Sequence, residues 1–162
     1  MPDTRRVATC LLTFSVLWLG GRFSSGQEVA AEADPEVVAL ESKVSQFLEG
    51  ISDGQVADAY DELLDGSQLK LKEKEKALAD LIVKTETLDE KYGGYRSFEK
   101  VASKRIGRDL VLVRYLYKCE HFPVVWYFTF YRTLPSNETT PENAPWRVIA
   151  VRFDTRLDLL WL

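Results

Sequence analysis

Apolar residues recur along the chain with two different spacings, and the change between them divides the sequence into two halves. Between positions 35 and 92 they fall at steps of three and four residues, which is the spacing of one helix face. From position 97 to position 153 apolar and polar residues largely alternate, which is typical of strands with one buried face. The sequence therefore predicts helices first and strands afterwards.

Three helices are predicted in the first half. Asp34 suits the N-cap of the first helix, because its carboxylate can accept a hydrogen bond from a free backbone N–H. Ser52 and Gln55 have the spacing of a capping box, which predicts that a second helix starts there and ends at Gly66. The third helix is predicted over residues 69–91.

Four strands are predicted in the second half, and they span residues 97–106, 109–119, 122–133 and 146–153. The first three are joined by short turns, which favours antiparallel pairing of neighbours, and the polar segment 134–145 forms a longer loop. Helices followed by such a meander predict an α+β fold, in which N-terminal helices pack on one face of a curved antiparallel β-sheet.

Alternation assigns the strand residues to two sheet faces. The inner face, toward the helices, carries no charge and many rings, namely Val111, Val113, Tyr115, Tyr117, Cys119, Val124, Trp126, Phe128 and Phe130. On the last strand the same alternation places Ile149, Val151 and Phe153 on the inner face. It places Trp146, Val148, Ala150 and Arg152 on the outer one.

Two stretches carry a resemblance to a known fold. One is the helix segment Gly54–Gly66, and the other combines Trp126–Arg132 with Trp146–Val148. Together they resemble the nuclear-transport-factor-2-like superfamily, the cone-shaped α+β fold of ketosteroid isomerase and the polyketide-cyclase-like proteins. The resemblance spans about residues 36–153 and is greatest to small exported bacterial members without an assigned function. It implies a cystatin-like, cone-shaped sheet whose outer face often pairs subunits.

The aromatic inner face suggests a non-catalytic protein that binds a small apolar ligand or a protein partner. Ligand pockets are mostly apolar, and the lining candidates are Tyr60, Tyr115, Tyr117, Trp126 and Phe128. The alternative is that these rings simply fill the core.

The outer face suggests a second function, a homodimeric assembly module. Its candidate interface residues combine tyrosine, leucine and arginine and are Leu112, Arg114, Tyr127, Tyr131 and Arg152. Tyrosine and arginine are enriched at protein interfaces.

An enzyme of the isomerase or cyclase type is the third alternative. Ketosteroid isomerases use an Asp base with a Tyr and a protonated acid in an apolar pocket. The apolar strand faces here carry no such acid, so no catalytic residue is assigned. The enzyme would need Asp61 or Glu62 turned into the cone, with Tyr115 or Tyr117 as hydrogen-bond donor.

Residues 1–26 are predicted to be a signal peptide. Arg5 and Arg6 precede an uncharged, mostly apolar run at 7–19, and small residues follow it. The run is shorter than the roughly 20 residues that span a bilayer, although a retained anchor is the alternative. We expect an exported protein, periplasmic or secreted and free of the membrane after cleavage, with a flexible lead-in at 27–35 and a single domain at 36–162.

The net charge and the numbers of cysteine and histidine residues exclude several kinds of partner and site. The 162 residues carry a net charge of −4, and without residues 1–26 the 18 basic and 24 acidic residues give −6. Such a domain is not expected to bind nucleic acid, which needs clustered Lys and Arg. Cys119 is then the only cysteine and His121 the only histidine, so we expect no disulfide, no metal site and no cofactor.

Overall fold

The computed structural model describes residues 34–70, 75–132 and 144–158. The predicted signal peptide, most of the lead-in and most of the 134–145 loop lie outside the described residues. The helical elements are α1 (Pro35–Ser52), α2 (Val56–Leu63), a 3₁₀ turn (Gln68–Lys70), α3 (Glu75–Glu86) and α4 (Leu88–Tyr92). The strands are β1 (Tyr95–Ile106), β2 (Leu110–Cys119), β3 (Val124–Arg132) and β4 (Trp146–Asp154).

The described strands form one antiparallel sheet in the order β1-β2-β3-β4, and the helices precede it in the chain. This confirms the predicted α+β class. Gly107, with φ of +63°, allows the tight turn between β1 and β2, because glycine adopts a positive φ without steric cost. Along β2 buried and half-buried residues alternate without interruption, so the odd-numbered residues lie on the inner face as predicted.

Helix α1 begins and packs as its sequence predicts. The Asp34 carboxylate accepts a hydrogen bond from the backbone N–H of Glu36 at 3.0 Å, and Pro35 is the first helical residue. The stripe at three- and four-residue steps is buried, and its members are Leu40, Val44, Phe47, Leu48 and Ile51.

Several helix boundaries differ from the prediction. Helix α2 ends at Leu63 and not at Gly66, and residues 68–70 form a 3₁₀ turn where the third helix was predicted to start. Ser52 is the last residue of α1, its hydroxyl donates to Glu49 O at 2.7 Å, and Gln55 is the N-cap of α2 without a side-chain cap, so the predicted capping box is wrong. The predicted third helix is interrupted at Thr87. The Thr87 hydroxyl donates to the carbonyls of Val83 and Lys84, which competes with the helical hydrogen bonds and separates α3 from α4.

Several residues of β4 lie on the opposite sheet face from the one predicted. Thr129 pairs with Ala150 but Phe130 pairs with Val148, so Ile149 is an extra residue in a β-bulge. The bulge reverses the alternation at this point, which buries Val148 to 1% exposure and leaves Ile149 40% exposed. The prediction that Ile149 faces inward, and that Val148 and Trp146 face outward, is therefore wrong, because Trp146 also packs against the core. Val151 and Phe153 pack against the core as expected.

Phe47 of α1 lies at the centre of the core. Its ring meets those of Tyr60, Trp126 and Phe128 at centroid distances of 4.9, 5.4 and 5.5 Å. All three contacts are edge-to-face, with interplanar angles of 77°, 76° and 79°, the geometry that aromatic quadrupoles favour. One side chain of α1 thereby joins α2 to the middle of β3.

A polar cluster fixes the N-terminal end of α1 to three strands. The Glu36 carboxylate accepts hydrogen bonds from Arg105 of β1 at 2.8 Å and Arg132 of β3 at 2.5 Å. Asp34 forms a second ion pair with Arg105. The Arg132 guanidinium also stacks 4.6 Å from the ring centroid of Trp146 in β4. Hydrogen bonds from Arg105 hold the pKa of both Asp34 and Glu36 below their usual values.

Replacing Phe47 with alanine tests its central position. We expect Phe47→Ala to lower the free energy of unfolding by about 3 to 5 kcal/mol, because the cavity sits among three rings that cannot close it. Val38→Ala in the same helix, at a 47% exposed position, is the control and should cost less than about 0.5 kcal/mol. Urea denaturation measures both, and a Phe47→Ala loss below about 1 kcal/mol contradicts the account.

The cluster of Glu36, Asp34, Arg105 and Arg132, which we call the Glu36 cluster, makes the stability of the protein sensitive to acid. Since the pKa of Glu36 is lowered in the folded state, the stabilising effect of its carboxylate is complete above the usual carboxyl pKa. This effect is lost as the pH falls through the pKa of the folded state. We expect the urea midpoint to drop between about pH 6 and about pH 3, and to drop less in Glu36→Gln. Glu49→Gln, at an exposed position in the same helix, should keep the wild-type profile; equal profiles for all three proteins would contradict the assignment.

Candidate functional site

The predicted ligand-lining residues are placed together, but inside the packed core. Each of them is at most 4% exposed, and they are Tyr60, Tyr115, Tyr117, Trp126 and Phe128. Phe47 fills the space between three of them. A ligand among these rings would have to displace Phe47.

Two tyrosine hydroxyls of this group are used within the fold. Thr85 Oγ1 donates to Leu81 O at 2.8 Å, so the Tyr60 hydroxyl, 3.0 Å away, donates to Thr85. The Tyr115 hydroxyl donates to Glu41 O at 3.2 Å and is hydrogen-bonded to Ser45 Oγ at 3.0 Å. Burial raises the pKa of Tyr60 far above its usual value, so its phenol stays neutral. These groups tie helices to helices and to the sheet.

Tyr117, one of the predicted lining residues, borders an open cleft on the helix side of the sheet. This cleft, of about 390 Å³, lies where α1, α4 and the end of β2 meet. Its other lining residues include Asp53, Glu86 and Asp89. Burial raises the pKa of Tyr117 above its usual value, and the charge of Asp89 acts in the same direction. Three carboxylates make this cleft unsuitable for an apolar or an anionic ligand.

The acids that an isomerase would need lie elsewhere. Asp61 and Glu62 are exposed on α2, and Asp61 forms an ion pair with Lys70 at 3.0 Å. Neither acid enters the core beside Tyr115 or Tyr117. The described structure therefore does not assemble the acid and donor pair that the sequence analysis considered.

Cys119 and His121 are placed as parts of the fold and do not form a reactive pair. Cys119 is buried, and this burial raises the pKa of its thiol to about 11, which keeps it protonated and unreactive. His121 is exposed after β2 and packs beside Gly93. Among the described residues no group of His, Cys, Asp or Glu is arranged to hold a metal ion. The described helices include none that is long and apolar enough to cross a membrane.

The outer face of the sheet carries an open groove of about 280 Å³. We call it the outer groove, and its side chains come from all four strands: Ala102, Lys104, Ile106, Leu112, Arg114, Tyr127, Thr129 and Arg152. Four of the five predicted interface residues line it. The fifth, Tyr131, lies on the same face opposite Leu110 and is 42% exposed. Three of the lining residues are basic and none of them is acidic. One of the three, Arg152, forms an ion pair with Asp154 at 3.5 Å.

Tyr127 is held between two arginines in this groove. Its ring centroid lies 4.1 Å from the guanidinium carbon of Arg152 on β4 and 5.5 Å from that of Arg114 on β2. The arrangement follows from the register, because Tyr127 pairs with Arg114 on one side and with Arg152 on the other. Guanidinium groups stack well on aromatic faces, so the two cations are fixed over the sheet.

The Tyr127 hydroxyl is an unusual feature of the groove. Its oxygen is buried and has no hydrogen-bond partner among the described residues. Burial raises the pKa of Tyr127, the charge of Asp154 raises it further, and Arg152 and Arg114 oppose this shift. The result is a neutral phenol that lies beside two cations and has no hydrogen-bond partner within the described part of the chain. Buried polar groups are otherwise almost always paired.

The sequence analysis missed the contribution of β1, above all Lys104. The pairing of β1 with β2 shifts by one residue between Lys100 and Ala102, which breaks the alternation of its side chains. Lys104 nevertheless lies opposite Leu112, on the face that the groove uses. Only the register of the sheet could have revealed it.

Comparisons of the chain with protein-family models, with curated proteins and with solved structures gave no match.

Two tyrosine-to-phenylalanine changes distinguish the groove from the core. Tyr127→Phe removes a hydroxyl that bonds to none of the described residues, so we expect the free energy of unfolding to stay within about 0.5 kcal/mol of wild type or to rise. Tyr115→Phe removes hydrogen bonds to Glu41 and Ser45 and should cost about 1 kcal/mol. Urea denaturation of the two variants provides the comparison, and a larger loss for Tyr127→Phe than for Tyr115→Phe would contradict the assignment.

Proposed function

We propose that this protein is a non-catalytic binding module, and that its outer groove binds an acidic, partly apolar segment of a partner protein. The observation that carries the proposal is the Tyr127 ring between Arg114 and Arg152, in a groove lined by three basic residues and no acidic one. Arginine fixed by stacking is well suited to carboxylates, because its N–H groups match their geometry.

Charge supports an acidic partner. The chain as a whole is acidic, with 25 acidic and 21 basic residues, whereas the residues that line the groove include three basic ones and no acidic one. The nearby Asp154 carboxylate neutralises part of the charge of Arg152. A ligand that carries Asp or Glu is attracted to this face and repelled by much of the remaining surface. Apolar side chains of the same ligand could contact Leu112 and Ile106 beside the cations.

The shape of the site favours a protein segment over a small molecule. Small-molecule sites are enclosed cavities of roughly 300 to 1,000 Å³ that bury most of their ligand. The outer groove, at about 280 Å³, has a volume at the lower limit of this range and is open to solvent along the sheet. Tyr131 and Ile106, both more than 40% exposed, extend the apolar surface at one end. An extended segment can use the whole of this surface, because its successive side chains need not fit into one pocket.

The other hypotheses receive less support from the contacts. A small apolar ligand inside the sheet has to compete with Phe47, whose ring contacts three of its neighbours. In a two-fold homodimer through the outer face, Lys104, Arg114 and Arg152 of both copies would meet, and like charges at such short range are destabilising. Self-association is therefore an outcome to be measured beside partner binding.

We also propose export through residues 1–26 and a distant relationship to the nuclear-transport-factor-2-like superfamily. Export rests on the apolar run at 7–19 after two arginines. The relationship rests on the order of helices followed by a four-stranded antiparallel meander. Neither proposal is needed for the outer groove to bind its partner.

Selection from a displayed library of random peptides tests the binding proposal. The immobilised protein should enrich peptides in which Asp or Glu is adjacent to Leu, Ile or Phe. The affinity of these peptides should fall by about ten-fold or more in Arg152→Glu and in Tyr127→Ala. The first change removes one of the two stacked cations, and the second removes the ring on which both cations stack. Lys84→Glu reverses a charge on exposed α3 and is the matched control.

Two results would contradict the proposed function. One is the enrichment of peptides without acidic residues, and the other is binding that Arg152→Glu weakens no more than Lys84→Glu does. Sedimentation of the free protein completes the test, because a dimer that Arg152→Glu disrupts would assign the outer face to self-association instead.

A further inference from the structure

The cleft of about 390 Å³ on the helix side of the sheet is lined by three acidic residues and by no basic one. The acids are Asp53, Glu86 and Asp89, and all three are exposed. We call this site the acidic cleft. None of the three carboxylates forms an ion pair with another described residue. The described part of the chain therefore leaves the negative charge of the cleft uncompensated.

Two of these acids lie where a carboxylate is unfavourable for the adjoining helix. Asp53 is the C-cap of α1, and Glu86 is the last residue of α3. The C-terminal end of a helix carries a partial negative charge, which repels carboxylates and attracts cations. The last turn of α1 contains no basic residue, and Lys84 in the last turn of α3 does not line the cleft. A cation bound in the acidic cleft would offset the repulsion at both helix ends.

The Tyr117 hydroxyl is a second, independent feature that indicates a ligand. The Tyr117 side chain is 1% exposed and lines the cleft from β2, yet its hydroxyl forms no hydrogen bond within the described part of the chain. Burial and the nearby charge of Asp89 both raise the pKa of Tyr117, so its phenol is neutral. Buried hydroxyls are almost always paired, and the oxygen of a neutral phenol can accept a hydrogen bond from an ammonium group.

The distribution of charge in the cleft indicates which kind of cation fits. Among the described residues no group of His, Cys, Asp or Glu is arranged to hold a metal ion, so the three carboxylates do not converge on one point. The cleft is also lined by the buried apolar side chains of Ile51, Val56 and Leu88. Separate positive charges joined by apolar groups match such a lining. The volume of the cleft lies within the range of roughly 300 to 1,000 Å³ that is usual for small-molecule sites.

We propose that the acidic cleft binds a small aliphatic polyamine, in which methylene groups separate two or more ammonium groups. The three carboxylates attract the ammonium groups, and the Tyr117 hydroxyl accepts a hydrogen bond from one of them. The methylene groups contact the apolar part of the lining. The acidic cleft and the outer groove lie on opposite sides of the sheet, so this proposal does not depend on the proposed function.

Calorimetric titration of the protein with spermidine, a linear triamine, tests the proposal. We expect saturable binding at low ionic strength that weakens as salt is added, because salt screens exposed charges. Asp53→Asn combined with Glu86→Gln should weaken this binding by about five-fold or more, since each exposed ion pair contributes little by itself. Tyr117→Phe should weaken it by about ten-fold, because a hydrogen bond to a charged group is lost.

A matched pair of acids controls for the overall charge of the protein. Asp58→Asn combined with Asp80→Asn removes the same charge from exposed positions of α2 and α3 that do not line the cleft. This control variant should bind spermidine as the wild type does. The two double variants change only exposed side chains, so we expect both of them to fold.

The proposal would be overturned by the absence of saturable spermidine binding, by an equal loss of affinity in the two double variants, or by an unchanged affinity in Tyr117→Phe. Tighter binding of magnesium ions than of spermidine would also overturn it, because the carboxylates would then form a metal site. Tighter binding of a lysine-rich peptide would overturn it as well, since the cleft would then belong to a protein partner. If Tyr117→Phe does not fold, the comparison of the two double variants decides the outcome.

Discussion

The contact of Phe47 with three rings is the constraint on which the rest of the structure depends. It places α1 against the centre of the sheet, holds α2 through Tyr60, and fills the space between these helices and the inner face of β3. The Glu36 cluster then fixes the start of the same helix to β1, β3 and β4. Because the interior is closed in this way, the surfaces left for binding are on the outside.

The register of the sheet explains how its outer face can bind a partner. Its register sets Tyr127 between Arg114 and Arg152, so two strands supply cations to one aromatic ring of a third. A core of apolar rings on the inner face makes this arrangement rigid, since alternate residues of the same strand, Trp126 and Phe128, are packed against Phe47. Rigidity matters for recognition because a fixed cation loses little entropy when it binds.

Periodicity alone predicts most of this fold. The predicted sheet faces are wrong where one inserted residue reverses the alternation of a strand. The uninterrupted alternation of β2 and the stripe of α1 give the correct inner faces. The bulge at Ile149 and the register shift before Ala102 add one residue to a strand, which no alternation shows in advance. The five lining and five interface candidates were found because aromatic and basic residues mark both faces. The space beside the inner face is occupied because the Phe47 side chain extends into it. Packing of this kind between distant residues cannot be read from the pattern of apolar positions along the sequence.

The most direct measurement is fluorine NMR of the protein labelled with fluorotyrosine, titrated with a peptide that places glutamates next to leucines. If the outer groove is the binding site and the core is closed, the Tyr127 resonance shifts, while those of Tyr60 and Tyr115 stay in place. Shifts at Tyr60 and Tyr115 with an unchanged Tyr127 would contradict the account, because the ligand would then enter the interior that Phe47 is argued to fill.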